Sequence, residues 1–319
     1  MQAQSGRRQR DGRRDVAERR PNHSSFSHRV RTANMADVTV IGTGYMGTAL
    51  AEAMIKHGLK VNVWNRTQSK IAGFVDSGHA IDSLDEAVRS APVLILCLPD
   101  YPTTRQVLSP VMDSLDGTVL VQTGAGTPDE ARALQQWIAE KNPDARYLEC
   151  SLLCYPRHIG TELSAVLWSG APQDRAATEE IAKAWGNTHD YLGPDIAAAN
   201  AYETSLLALY YGTLRGAIES VHMARAESLP MPDFSQALIR LIPTLADALE
   251  RALTSVSTGN YSTEDATLGT HLSAMEGATR AAQAAGLPNP ITFQLAEYLK
   301  RCIAKGRIDD DIMSAVEEL

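Results

Sequence analysis

The stretch Val38–Lys70, VTVIGTGYMGTALAEAMIKHGLKVNVWNRTQSK, limits this chain to very few folds. Val38, Val40 and Ile41 make a short β-branched strand, and Gly42, Gly44 and Gly47 follow it in G-x-G-x-x-G spacing. That spacing binds a dinucleotide pyrophosphate when it joins a strand to a helix. Gly42 permits the tight turn, Gly44 lets backbone N–H groups approach the phosphates, and Gly47 lets helix and strand pack closely. Thr43, Tyr45 and Met46 complete the turn and are expected to line the cofactor. An amphipathic helix follows (Ala49, Leu50, Ala53, Met54), Gly58 ends it, and Val61, Val63 and Trp64 form a second strand.

The end of that second strand selects the cofactor. An NAD site carries Asp or Glu there for the ribose 2′-hydroxyl, whereas this chain has Asn65-Arg66-Thr67, with Lys70 one turn on. A carboxylate would repel a 2′-phosphate; a guanidinium holds it through paired, charge-assisted hydrogen bonds. The expected cofactor is therefore NADPH.

With 319 residues the chain is long enough for two domains. Its formal net charge of −8 argues against a nucleic-acid partner. Four cysteines (Cys97, Cys150, Cys154, Cys302) lack zinc or disulfide spacing, so no metal is expected and a reducing, cytoplasmic setting is. No window of about 18 apolar residues suggests a membrane span. Residues 1–34 stand apart, with nine arginines, no lysine and three acids, and are expected to be disordered. Three readings compete for them: a transit peptide, a nucleic-acid-binding arm, or an extension ahead of a start at Met35. The acids Asp11, Asp15 and Glu18 and the lack of interleaved aromatics favour the last.

From Lys70 onward helices and strands alternate, as a doubly wound parallel sheet requires. The expected sequence is a helix over 71–77, a short strand at Ala80-Ile81, a helix capped by Ser83, and a strand over 92–98 buried on both faces. Cys97, Leu98 and Pro99 at that strand's carboxyl end are expected at the cofactor's edge. A helix over 103–114 and a strand over 118–122 follow. That strand opens into Thr123-Gly124-Ala125-Gly126-Thr127-Pro128, read either as a close approach to the nicotinamide or as a plain tight turn. Strands at 147–153 and 165–170 complete the half. Beyond Asp195, Ala- and Leu-rich sequence runs for about seven turns without Pro or a capping Gly, a helix longer than one small domain needs. Its apolar surface is expected to be covered by a second subunit.

Together the G-x-G-x-M-G turn and the strand pattern resemble the β-hydroxyacid dehydrogenase superfamily. VWNRT at 63–67, Tyr155-Pro-Arg-His-Ile-Gly ahead of Trp168-Ser-Gly, Tyr202-Glu-Thr-Ser-Leu-Leu, Gly259-Asn-Tyr-Ser-Thr and Leu268-Gly-Thr-His-Leu are more similar to its imine reductase and reductive aminase branch. The resemblance covers about Met35 to Leu319. It implies an α/β architecture: a Rossmann domain over 35–195, an interdomain helix over 196–226, and a helical domain over 227–319 exchanged in a homodimer.

The resemblance also directs attention to the long helix. Hydroxyacid dehydrogenases place there a lysine that polarises the substrate oxygen, and the aligned position here is Glu203, with no lysine between Asp190 and Leu214. Reducing a carbonyl needs a donor aimed at the developing alkoxide. An imine carbon is already activated as a cation, so an acid that binds or protonates nitrogen suffices. Glu203 fits that task, although its protonation state stays open between a neighbouring iminium, which favours the anion, and burial, which favours the acid. Tyr211, two turns on, is read as catalytic or as core, and for Tyr202 and Tyr210 the core reading is favoured. Leu153 and Tyr155 are implied substrate contacts, His271 is read either as closing the pocket from the second subunit or as a surface-helix histidine, and His158 is placed at the entrance. Gly124-Ala125 replaces the Thr-Asn common in reductive aminases, which makes reduction of a preformed imine the firmer expectation. The expected activity is NADPH-dependent reduction of small or cyclic C=N bonds. The alternatives are a carbonyl reductase of hydroxyacid dehydrogenase type and a non-catalytic NADPH-binding dimer.

Overall fold

The computed structural model describes residues 35–186 and 188–319; the Arg-rich segment 1–34 lies outside them. The chain divides into two compact units that meet in sequence at Ala199 and Asn200.

The first unit is an α/β sandwich. Its strands are β1 (Val38–Ile41), β2 (Val61–Trp64), β3 (Val93–Leu96), β4 (Val119–Gln122), β5 (Arg146–Leu152), β6 (Ala165–Gly170) and β7 (Thr188–Tyr191), ordered β2-β1-β3-β4-β5-β6-β7. The helices are α1 (Tyr45–Lys56), α2 (Ala72–Val75), α3 (Leu84–Arg89), α4 (Tyr101–Leu108), α5 (Pro128–Lys141), α6 (Pro172–Ala177) and α7 (Glu179–Trp185). Strands β1 to β5 are parallel, and Ala80 adds a single parallel bridge to Val63 on the outer side of β2. Counting that bridge as a strand gives the 3-2-1-4-5-6 order of a dinucleotide-binding sheet.

Helices α1 and α7 cover one face through Leu50, Ala51, Met54, Ile181 and Trp185; α3, α4 and α5 cover the other through Val88, Leu108, Leu134 and Ile138. Leu50, Met54, Leu94 and Ile95 are fully buried, each stabilising the fold by about 1.5–3 kcal/mol relative to exposure. Trp168 and Trp185 stack at 5.6 Å, with the Arg175 guanidinium 4.8 Å from the Trp168 ring.

Several expected elements change shape locally. The helix over 71–77 contracts to α2 behind a 3-10 turn at Gln68–Lys70. The helix over 103–114 begins at Tyr101, where Asp100 caps it, and becomes 3-10 from Ser109, because Pro110 lacks the N–H that would continue the α pattern. The strand at 165–170 is not the last of its half, since β7 follows. Nor is the sheet uniformly parallel: β6 runs antiparallel to β5, because the intervening segment holds only a 3-10 turn and no crossover helix.

The second unit is helical: most of α8 (Ala198–Ala226), then α9 (Met231–Thr258), α10 (Leu268–Ala284) and α11 (Ile291–Ala304). Helices α10 and α11 pack through Leu268, Leu299 and Cys302. Glu219 ties α8 to the start of α11 by accepting from the Ile291 N–H at 2.8 Å while pairing with Arg215. Helix α9 is different. Ala252 is its one buried residue, and Ile239, Leu241, Ile242, Leu245 and Leu253 are exposed. No helix among the described residues is long and apolar enough to cross a membrane.

Candidate functional site

The carboxyl ends of the parallel strands β1, β3, β4 and β5 open on one edge of the sheet, and so does that of β2. In such a sheet ligands lie outside this edge, where the strand order reverses, here between β1 and β3.

The glycine turn is built as its spacing demands. Gly42 has φ +102°, and a Cβ on it would stand 2.3 Å from the Cys97 carbonyl oxygen. A Cβ on Gly47 would stand 1.9 Å from the Gly42 carbonyl oxygen. Gly44 differs: a Cβ there would meet no protein atom within 4 Å, so the space in front of it is open. No side chain caps α1 at Gly44, which leaves the first N–H groups of the helix for an anion. Tyr45 projects into solvent with 93% of its surface exposed, and Met46 packs against the core beneath. A turn that is open only where phosphate would approach fits a bound dinucleotide.

At the end of β2, Trp64 donates from its indole N–H to the Asp82 carbonyl at 3.2 Å, and the Asn65 side chain accepts from the Thr67 N–H at 2.9 Å. These bonds fix the turn from which Arg66 and Lys70 reach outward. Both are exposed, and neither pairs with a carboxylate among the described residues. Thr43 is 4% exposed and its hydroxyl donates to the Lys70 carbonyl at 3.0 Å. Its side chain thus ties the phosphate turn to the basic turn, a link that spacing alone did not reveal.

The β3 and β4 ends interlock. Cys97 donates its backbone N–H to Ile41, and Thr123 donates from both N–H and hydroxyl to the Leu96 carbonyl. Burial pushes the Cys97 thiol above its usual range, against a smaller opposing effect of the Thr123 hydroxyl, so it remains a neutral packing group. Leu98 leans against Gly42, Pro99 is exposed, and Asp100 caps α4 by accepting from the Thr103 N–H at 2.7 Å. Hydrogen bonds from Thr103 hold the Asp100 carboxyl below its ordinary range. A Cβ on Gly124 would stand 2.6 Å from the Leu98 carbonyl, and one on Gly126 would strike the Tyr101 ring. Glycine at 124 is therefore required by packing here, while Ala125 is exposed at the tip.

Beneath that turn lies a polar group that the sequence reading passed over. Gln122 and Glu149, register partners on β4 and β5, are both buried. Thr104 donates to the Gln122 carbonyl oxygen, and Tyr147 donates to Glu149. Burial, reinforced by the Glu149 charge, raises the Tyr147 phenol well above its usual range, so it stays a proton donor at neutral pH. Polar residues inside otherwise apolar strands (TVLVQ, YLEC) were the available signal.

Past β5, Leu153 donates its N–H to Ala165, and Tyr155 is 47% exposed on a 3-10 turn, Pro156–His158. In the second unit, Glu203 on α8 is partly buried and Tyr211 is 62% exposed. Tyr211 meets Tyr210 edge to face at 5.2 Å. Tyr202 and Tyr210 are exposed by 54% and 39%, which corrects the expectation that they are core. His271 lies in the first turn of α10, partly buried. No group of three or more His, Cys, Asp or Glu side chains is arranged to hold a metal among the described residues.

Residues 37–193 match the model of the NAD binding domain of 6-phosphogluconate dehydrogenase, and residues 195–319 that of the NADPH-dependent reductive aminase-like C-terminal domain. The chain is 26% identical to an NADPH-dependent reductive aminase of Aspergillus oryzae over 288 residues, covering 88% of this chain and 96% of that one. Its fold superimposes on an imine reductase from Myxococcus stipitatus in complex with NADP+ with a TM-score of 0.83 at 26% identity, covering 88% and 99% of the two chains. A reductive aminase from Aspergillus terreus in complex with NADPH and ethyl levulinate gives 0.83 at 28% identity, covering 89% and 99%.

Proposed function

Because the chain belongs to the family of NADPH-dependent imine reductases and reductive aminases, we propose that it is an oxidoreductase that reduces C=N bonds of small or cyclic imines to amines. The observation that carries this reading is the pairing of an open glycine turn with the cations Arg66 and Lys70, which make no ion pair among the described residues, on a chain whose long helix offers Glu203 and no lysine. The first-turn N–H groups of α1 hold the pyrophosphate, Arg66 and Lys70 the 2′-phosphate with Asn65 and Thr67 shaping their turn, and the segments 97–99 and 123–125 the nicotinamide end. When bound, NADPH supplies the hydride that the imine carbon receives. Glu203 orients the nitrogen and gives it a proton when the substrate arrives neutral. Tyr211 assists it, and Leu153, Tyr155 and His271 shape the substrate space.

We assign residues 35–195 to cofactor binding, 196–226 to an interdomain helix and 227–319 to dimerisation, with C-terminal domains exchanged between two subunits. Leu238, Ile242, Leu245, Leu249, Ala252 and Val256 recur along α9 at alternating spacings of four and three, a seam of coiled-coil kind. Ile242 and Leu245 of that seam are exposed and Leu238, Leu249 and Val256 partly so, surface that a second copy would bury.

Glu203→Gln keeps the size of the side chain and removes the acid. It is expected to lower kcat by about 10²–10⁴-fold, with NADPH affinity unchanged by fluorescence titration. A kcat within threefold of the parent would assign the proton to another group.

A further inference from the structure

Arg157 has no part in the reading above, and it lies over an aromatic ring in the loop that follows β5. Its guanidinium carbon lies 4.6 Å from the centre of the Tyr155 ring, and His158 meets that ring edge-on at 5.6 Å. A cation–π contact takes up none of the guanidinium's hydrogen-bonding capacity, so its N–H fork stays available to bind a carboxylate through two parallel hydrogen bonds. Among the described residues no carboxylate takes that place: Glu162, the nearest acid along the loop, makes no ion pair with it.

The loop beneath is held firmly. His158 donates its N–H to the Tyr155 carbonyl at 2.8 Å, and the Thr161 hydroxyl donates to the His158 carbonyl at 2.7 Å. Gly160, at φ +78°, donates to the Trp185 carbonyl at 2.7 Å. An ordered backbone reduces the entropy lost when the charged side chain binds a ligand.

Position in the sheet gives the stack its meaning. Arg66 stands at the carboxyl end of β2 and Arg157 follows the carboxyl end of β5, four strand steps away in the order β2-β1-β3-β4-β5. At about 4.8 Å per step the two ends are roughly 19 Å apart, so Arg157 serves a different group from the 2′-phosphate near Arg66. The segments 97–99 and 123–125, assigned above to the nicotinamide end, stand at the ends of β3 and β4, and the segment that follows β5 comes next in the sheet, where it would border the substrate.

We propose that Arg157, stacked on Tyr155, recognises a carboxylate on the substrate, so that the enzyme prefers oxo acids condensed with an amine, or imino acids, over their neutral esters. This rests on the C=N-reducing function proposed above.

The test uses 4-oxopentanoate and its ethyl ester, which share the reacting carbon. Calorimetry on the full chain with NADP+ present is expected to show the acid binding at least tenfold tighter than the ester, and Arg157→Gln to remove that margin. With methylamine and NADPH, the acid-to-ester ratio of kcat/KM is expected to fall at least tenfold in the variant, mainly through KM. Arg157→Lys, which keeps the charge without the planar fork, should restore only part of the ratio and guards against a folding defect. Equal binding of acid and ester by the parent protein, or an unchanged ratio in the variant, would overturn the assignment. Loss of turnover with every ketone and amine, alongside retained carboxylate preference in calorimetry, would instead overturn the C=N reading and leave the Arg157 site standing.

Discussion

Replacing Gly47 by alanine is expected to unfold the cofactor turn, whereas the same change at Gly44 is expected to leave the fold intact and weaken NADPH binding alone. At Gly47 the added carbon would stand 1.9 Å from the Gly42 carbonyl oxygen. Both partners belong to the backbone, of β1's exit on one side and α1 on the other, so neither can rotate away. Overpacking of this kind costs about 1–3 kcal/mol in ordinary cores and more where the backbone must move. For a domain of this size, a fall of roughly 2–12 °C in Tm follows. Gly44 meets nothing within 4 Å, so Gly44→Ala should keep Tm within about 2 °C of the parent. Its methyl group would occupy the space of the pyrophosphate and displace a charge-assisted hydrogen bond at about 1.5–3 kcal/mol. The NADPH Kd should rise about 10- to 100-fold. Thermal melts and NADPH titration on both variants separate the effects, and equal loss of stability at both positions would contradict the assigned roles.

Arg66→Asp should reverse the cofactor preference. The guanidinium is exposed on a fixed turn and makes no ion pair within the described residues, so its removal leaves no buried carboxylate behind. Loss of its paired hydrogen bonds to a 2′-phosphate is worth about 1.5–3 kcal/mol, and the new carboxylate repels that phosphate while accepting from a ribose 2′-hydroxyl. KM for NADPH should rise about 10- to 100-fold, with KM for NADH equal to or below that of the parent. Parallel increases in both constants would mean that Arg66 supports the fold rather than the phosphate. Thr43, whose hydroxyl holds the Lys70 carbonyl, links this site to the glycine turn, so the two sets of effects are coupled through one hydrogen bond.

Much of the first unit could be read from the chain because its signals are local. Glycine spacing, a β-branched strand and the acid-free end VWNRT each act within a few residues, and the structure closes them into one edge of the sheet. The antiparallel turn of β6 and the extra strand β7 were not legible. THDY lacks apolar alternation, and its pairing with β6 depends on the return of β5 rather than on its own residues. The buried Gln122–Glu149 pair was hidden for a related reason: its partners Thr104 and Tyr147 come from other elements. Tyr202 and Tyr210 are expected in the core because they lie in an Ala- and Leu-rich helix, yet both are exposed here. The contact of Arg157 with Tyr155 is not legible in the sequence because it depends on the 3-10 turn that carries Arg157.

The central claim is that the hydride goes to C=N. It is tested most directly by supplying the purified protein with NADPH and either a cyclic imine or an oxo acid without amine, and following both NADPH absorbance and product. Amine formed in step with NADPH consumed, with the oxo acid alone turned over at least 100-fold more slowly, is the predicted result. Rapid conversion of the oxo acid to its hydroxy acid, with the imine untouched, would contradict it.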